Sequence, residues 1–156
     1  MSRATRLADH IERTVTGPMW HGPALSENLN GVTEDHARAR AMPGAHSIWE
    51  LVLHITVWCE IARQRLTGQA VGDPAPEQDF PKPGSGPQSG SDPAWERAVE
   101  RMGESHRQLA ADVRQLDDEQ LKAKVTGQDY NVFDLLHGVV EHGTYHGGQI
   151  ALLKKA

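Results

Sequence analysis

A chain of 156 residues has the length of one domain and is long enough to bury a substantial core. Its 16 basic and 21 acidic residues leave a formal net charge of −5, which excludes a general electrostatic footprint for nucleic acid or for an anionic membrane surface. The single cysteine, Cys59, excludes an intrachain disulfide and fits a reducing compartment. No stretch approaches the ~18 apolar residues of a membrane span, and the N-terminal MSRATRLADHIERTVTG has no apolar signal-peptide core. A globular, cytoplasmic protein is therefore expected.

Residues 3–16 are predicted to form a helix, because Leu7, Ile11 and Val15 recur every four residues and Gly17-Pro18 stops the pattern. Between 18 and 46 the chain is broken by Pro18, Pro23, Pro43 and several glycines. Two short helices fit there, around ALSENL and around EDHARAR, the second with Thr33 as N-cap. A long helix starts at Ser47-Ile48-Trp49-Glu50, a capping-box pattern in which the two polar side chains satisfy orphan amides reciprocally. It is expected to run to about Thr67, with Gly68 as its stop and an inward stripe of Ser47, Leu51, His54, Trp58, Ile61 and Arg65. Residues 69–91 cannot bury a core: DPAPEQDFPKPGSGPQSGS holds five prolines and three glycines, and an exposed loop is expected, a linker or a lid.

The next helix is predicted to begin at Asp92-Pro93, with an inward stripe of Trp95, Val99, Met102, His106, Leu109, Val113 and Leu116. Residues 117–124 read as a short helix with an acidic start. The last helix opens at Asn131, with Asp134 three residues on, and reaches about Lys154, where Lys154 and Lys155 suit the helix dipole. Its stripe is Val132, Leu135, Val139, His142, His146, Gln149 and Leu153. With no strand signal and no internal repeat, the chain reads as one all-α domain over residues 1–156, a four-helix bundle.

Three histidines stand on these stripes where leucine would be ordinary. His142 and His146 are four residues apart, so their rings share one helix face. His54 on the other long helix is the best-placed third ligand. Three imidazoles suit zinc, nickel or copper and leave a coordination position open, the pattern of catalytic rather than structural sites. His106 also lies on a stripe, as a fourth ligand, a support for one, or a plain core histidine, with the last two preferred. His137 should face away, and His10, His21, His36 and His46 read as surface or local packing residues. Cys59 sits about 140° round the helix from His54, so a buried thiol is expected rather than a ligand. Glu50, one turn before His54, is a candidate support for that ring, although its part in the cap is the simpler account. Trp58 is expected to line a pocket, and Trp20, Trp49 and Trp95 to lie in core or pocket wall. Tyr145 is a candidate donor, about 100° round from His146. No side chain beyond the ligands is assigned to catalysis. Gly138, Gly143, Gly147 and Gly148 each cost about 1 kcal/mol against alanine inside a helix. They leave room for water and substrate or admit a neighbouring helix.

A lone imidazole on an apolar stripe is ordinarily a hydrogen-bonded core residue. A non-catalytic metal-binding module and a plain helical interaction bundle therefore remain open beside the metalloenzyme.

HSIWELVLHITVW, followed by LLHGVVEHGTYHGGQI and preceded by WHGPALSENLNGV, resembles the DinB/YfiT-like superfamily of metalloenzymes, which is unrelated to the DNA polymerase that shares the name. The likeness runs from about Trp20 to Leu153. It implies an up-down-down-up bundle with a long crossover, and one divalent metal, nickel or zinc, on His54, His142 and His146, with Gln149 matching the family's glutamine. It also implies thiol S-transferase chemistry, with bacillithiol, mycothiol or glutathione, or an isomerase or hydrolase activity. Partners would then be a low-molecular-weight thiol and a small-molecule electrophile, on a homodimer.

Overall fold

The computed structural model describes residues 1–84 and 94–156, and the described residues are helical with no strand. Eight helices follow in order: α1 (Arg3–Thr16), α2 (Leu25–Leu29), α3 (Glu34–Arg38), α4 (Ile48–Leu66), α5 (Pro76–Asp79), α6 (Ala94–Val113), α7 (Asp118–Lys122) and α8 (Val132–Leu153). The Asp92-Pro93 start expected for α6 and the end of the 69–91 segment lie outside the described residues. No helix among the described residues is long and apolar enough to cross a membrane.

The helix ends follow from local chemistry. Ser47 Oγ accepts from the Glu50 amide (3.2 Å) while the Glu50 carboxylate accepts from the Ser47 amide (2.8 Å), closing the predicted capping box of α4. Asn131 Oδ1 accepts from the Asp134 amide (2.9 Å) at the start of α8. The α1 helix stops at Gly17, whose φ of 72° lies in the left-handed region that glycine enters without penalty.

The four long helices form a bundle. The α1 and α4 helices each pack against both α6 and α8, while α2 covers α8 and α3 covers α4. Two apolar clusters fill the interior. One holds Val15, Leu25, Trp49, Ile55, Trp95, Met102, Ile150 and Leu153; the other holds Leu7, Ile11, Cys59, Ala62, Leu109, Val113, Leu136 and Val139. Along α4 the clusters change between Ile55 and Cys59, and along α8 between Val139 and Ile150, in the reverse order. The two helices therefore run in opposite directions, and His54, His142 and His146 all sit where the clusters change over.

Three expectations need correction. The α8 stripe is rotated: Val132, Leu136, Val139, Gly143, His146, Gly147, Ile150 and Leu153 are buried, whereas Leu135, His142 and Gln149 are only partly so. The reason is that α1 and α2 cover one flank of α8 while Leu135 and His142 border a cavity beside α4. Trp20 is neither core nor pocket wall but 100% exposed. Trp49 and Trp95 are buried 5.5 Å apart, the Trp95 indole donating to the Val32 carbonyl (2.9 Å). Finally, the segment after α4 is not merely a linker. It carries α5 and then turns inward, so that Asp79 and Phe80 are partly buried against α4.

The glycines of α8 divide by role. A Cβ on Gly143 would lie 2.5 Å from Thr14 Cγ2 on α1, so this glycine admits the neighbouring helix, whereas one on Gly147 would meet Leu25 on α2 at 3.5 Å, an ordinary contact. Gly138 borders the cavity. Gly148 meets nothing within 4 Å, and no contact explains it. Thr14 cannot yield readily, since its hydroxyl donates to the His10 carbonyl (2.9 Å) and its branched χ1 is stiff. Gly143→Ala should therefore destabilise the protein by about 1–3 kcal/mol despite its better helix propensity. Gly148→Ala should stabilise it by up to about 1 kcal/mol. Urea unfolding of the two variants beside the wild type measures both signs.

Candidate metal centre

His54 projects from the middle of α4, and His142 and His146 from the second half of α8, one turn apart. Their candidate ligand atoms all lie within 4.8 Å of one another, a group that could hold a metal ion. His54 Nε2 and His142 Nε2 are 2.9 Å apart. The His146 ring centroid lies 4.7 Å from that of His54 and 4.5 Å from that of His142.

The tautomers follow from the partners. His54 Nδ1 faces the Asp79 carbonyl (2.8 Å) and Asp79 Oδ1 (3.0 Å), both acceptors, so Nδ1 carries the proton and Nε2 offers its lone pair. His146 Nδ1 donates to Gln149 Oε1 (2.6 Å), which frees its Nε2 in the same way. A carboxylate or carbonyl on the far nitrogen is the usual means of fixing an imidazole that binds a metal. The residues present thus fit a divalent cation: three imidazoles converge, and two have their other nitrogen already engaged.

Burial favours the neutral form of His142 and His146. Desolvation is the main cause that lowers His142 to about 3, with the neighbouring His146 and His54 adding to it. Desolvation also lowers His146, opposed by its bond to Gln149. His106 is lowered by the same cause. It is 1% exposed, its Nδ1 donates to the Met102 carbonyl one turn back (2.8 Å), and it stands outside the group of three.

The remaining residues named from sequence are distributed as follows. Gln149 holds His146. Trp58 donates its indole N–H to Asp79 Oδ1 (2.7 Å) and lies 6.4 Å from the His54 ring and 6.2 Å from that of His142. Glu50 faces Arg40 and His46 and closes the cap, so its described bonds do not include His54. Cys59 is buried, its thiol pushed up to about 12 by desolvation, and it stays protonated. His137 is turned outward against Glu141 (3.3 Å).

Two residues were not anticipated. Asp79 bonds both His54 and Trp58. Phe80 stacks between His54 (3.9 Å, 3°) and His46 (3.7 Å, 1°). Phe80 is the lone aromatic of the 69–91 segment, and that was the one trace of its role in the sequence.

The three histidines open onto a cavity of about 530 Å³, within the range of small-molecule sites. Trp58, Ala62, Leu135, Val139 and Tyr145 line it, with Arg65 and Tyr130 beyond. The class defined so far is a helical bundle whose three-imidazole group could hold a metal ion and opens onto an apolar cavity. Residues 7–150 match the DinB superfamily, and the chain belongs to it. No curated protein and no solved structure matches the chain significantly.

Two outcomes follow. Asp79→Ala, which keeps the backbone carbonyl, should weaken binding of zinc or nickel about tenfold, measured by competition with a chromophoric chelator; unchanged affinity would show that the Asp79 carbonyl orients His54 without the carboxylate. Secondly, the unfolded histidines take up protons near pH 6.5, whereas His142 in the folded protein resists until about 3. The folded state then binds fewer protons, so stability that is full above pH 6.5 is lost as pH falls toward 3. The urea midpoint of metal-free protein should be lower at pH 5 than at pH 7.5, and His142→Gln should reduce that difference.

Proposed function

We propose that this chain is a divalent-metal-dependent enzyme in which His54, His142 and His146 hold one zinc or nickel ion at the head of the cavity. The observation that carries the reading is the opening of the three-imidazole group onto an apolar cavity of substrate size. A purely structural ion would need no such space. When bound, such an ion lowers the pKa of a thiol or a water in its coordination sphere and so supplies a nucleophile at neutral pH.

The protein's own residues have separate tasks in this reading. Asp79 and Gln149 keep the Nδ1 protons of His54 and His146, so that the Nε2 lone pairs stay available. Trp58, Leu135 and Val139 exclude water from the space in front of them. The reaction is thiol S-transfer or metal-dependent hydrolysis, and a low-molecular-weight thiol with a small electrophile would be its substrates. We further infer an up-down-down-up order of the four long helices. It is supported by the two apolar clusters, which α4 and α6 meet in one order along their length and α1 and α8 in the other. The reading also takes the chain as a single cytoplasmic domain that pairs as a homodimer.

The test is metal content by elemental mass spectrometry on untagged protein purified without chelator. Near one ion per chain is expected, lost in His54→Ala, His142→Ala and His146→Ala while circular dichroism stays helical. Metal retained by all three variants removes the reading.

A further inference from the structure

Arg65 lies three turns beyond His54 on α4, in the wall of the same cavity, and its side chain is only 3% exposed. Its Nε donates to the Val71 carbonyl (2.9 Å), one terminal nitrogen to Tyr130 Oη (2.7 Å) and the other to Asp73 Oδ1 (2.8 Å). A guanidinium carries five N–H groups. Among the described residues three are used, which leaves one on each terminal nitrogen. Tyr130 Oη accepts from Arg65 and keeps its own O–H to donate.

Burying a cation beside an apolar cavity is unfavourable unless a partner compensates. The carboxylate that partners it, Asp73, is 77% exposed, where an ion pair returns little. The guanidinium carbon is 5.8 Å from the Trp58 ring centroid, and that ring is 6.2 Å from His142's, so the cation and the imidazole group stand at most about 12 Å apart. Between them the wall is apolar: Ala62, Leu135, Val139, and Gly138, where a side chain would meet open space.

We propose that Arg65 and Tyr130 form a carboxylate-binding subsite, and that the cavity takes a small molecule with an apolar body and one carboxylate. The carboxylate is held at Arg65 and the other end is presented to the three histidines. A carboxylate, with two acceptor oxygens, matches the one N–H left on each terminal nitrogen of Arg65. A phosphate dianion would bring a second charge into a wall whose other formal charges, Asp79 and Asp134, are negative. The orientation toward the histidines rests on the proposed metalloenzyme; the subsite itself does not.

The test is calorimetric titration of the full chain with 4-phenylbutyrate, its uncharged amide and phenethyl phosphate, on protein as purified and after chelator treatment. The carboxylate is expected to bind about tenfold more tightly than the amide, and more tightly than the phosphate, in both preparations. Arg65→Gln should abolish the preference, and Tyr130→Phe, which keeps the ring, should reduce it. Equal affinity for acid and amide in the wild type overturns the proposal without recourse to any variant. So does a preference that vanishes on chelation, which would place the carboxylate on the metal, and so does failure of the acid to bind. Tighter binding of the phosphate overturns the assignment to carboxylate. Absence of metal would defeat the proposed enzyme and leave this comparison intact.

Discussion

The position of two protons governs the site. With His54 Nδ1–H given to Asp79 and His146 Nδ1–H given to Gln149, both Nε2 lone pairs are left free, and that of His54 meets His142 Nε2 at 2.9 Å. Desolvation acts in the same sense. A buried imidazole is driven toward its neutral form, and the neutral form is the one whose lone pair can bind a cation. The environment that makes His142 and His146 poor proton acceptors thereby keeps them available as ligands. The bundle supplies the proximity on which this depends, since α8 carries two of the rings and approaches α1 closely where Gly143 has no side chain.

Much of this was legible in the order of residues. Helix starts were written in short range, as in Ser47 with Glu50 and Asn131 with Asp134, because a cap involves residues three apart. The grouping of His142 with His146 follows from helical spacing, and His54 from its place on a second stripe. Spacing alone did not separate His106 from the triad, since it has the same periodicity. What separates it is its place in the fold: it stands outside the group of three, with its Nδ1 turned back to the Met102 carbonyl. Nor did spacing give the rotation of α8. The α8 helix is covered unequally, and an apolar count cannot distinguish a residue facing packed neighbours from one facing a cavity.

The largest omission was the segment after α4. Its prolines and glycines rule out a core, and that reading stands for most of the residues up to Gln78, which are exposed. But a segment without periodicity can still deliver a single residue, and the approach of Asp79 to His54 across 25 positions leaves no repeating mark in the sequence. Arg65 is a similar case. Its inward direction was evident from the stripe, whereas its partners Val71, Asp73 and Tyr130 come from two irregular segments, one after α4 and one before α8.

Trp58 occupies a position with an optical consequence. Its indole is hydrogen-bonded to the aspartate that holds His54, stands edge-on to that imidazole, and lies beneath the Arg65 guanidinium. The other three tryptophans are far less sensitive to the cavity: Trp49 and Trp95 are sealed in the core, and Trp20 is bathed in solvent. The protein therefore carries a fluorophore of its own between the two polar ends of its cavity, against a background that events there leave largely unchanged. A quencher or an oriented charge arriving at either end would register first in the emission of that one indole.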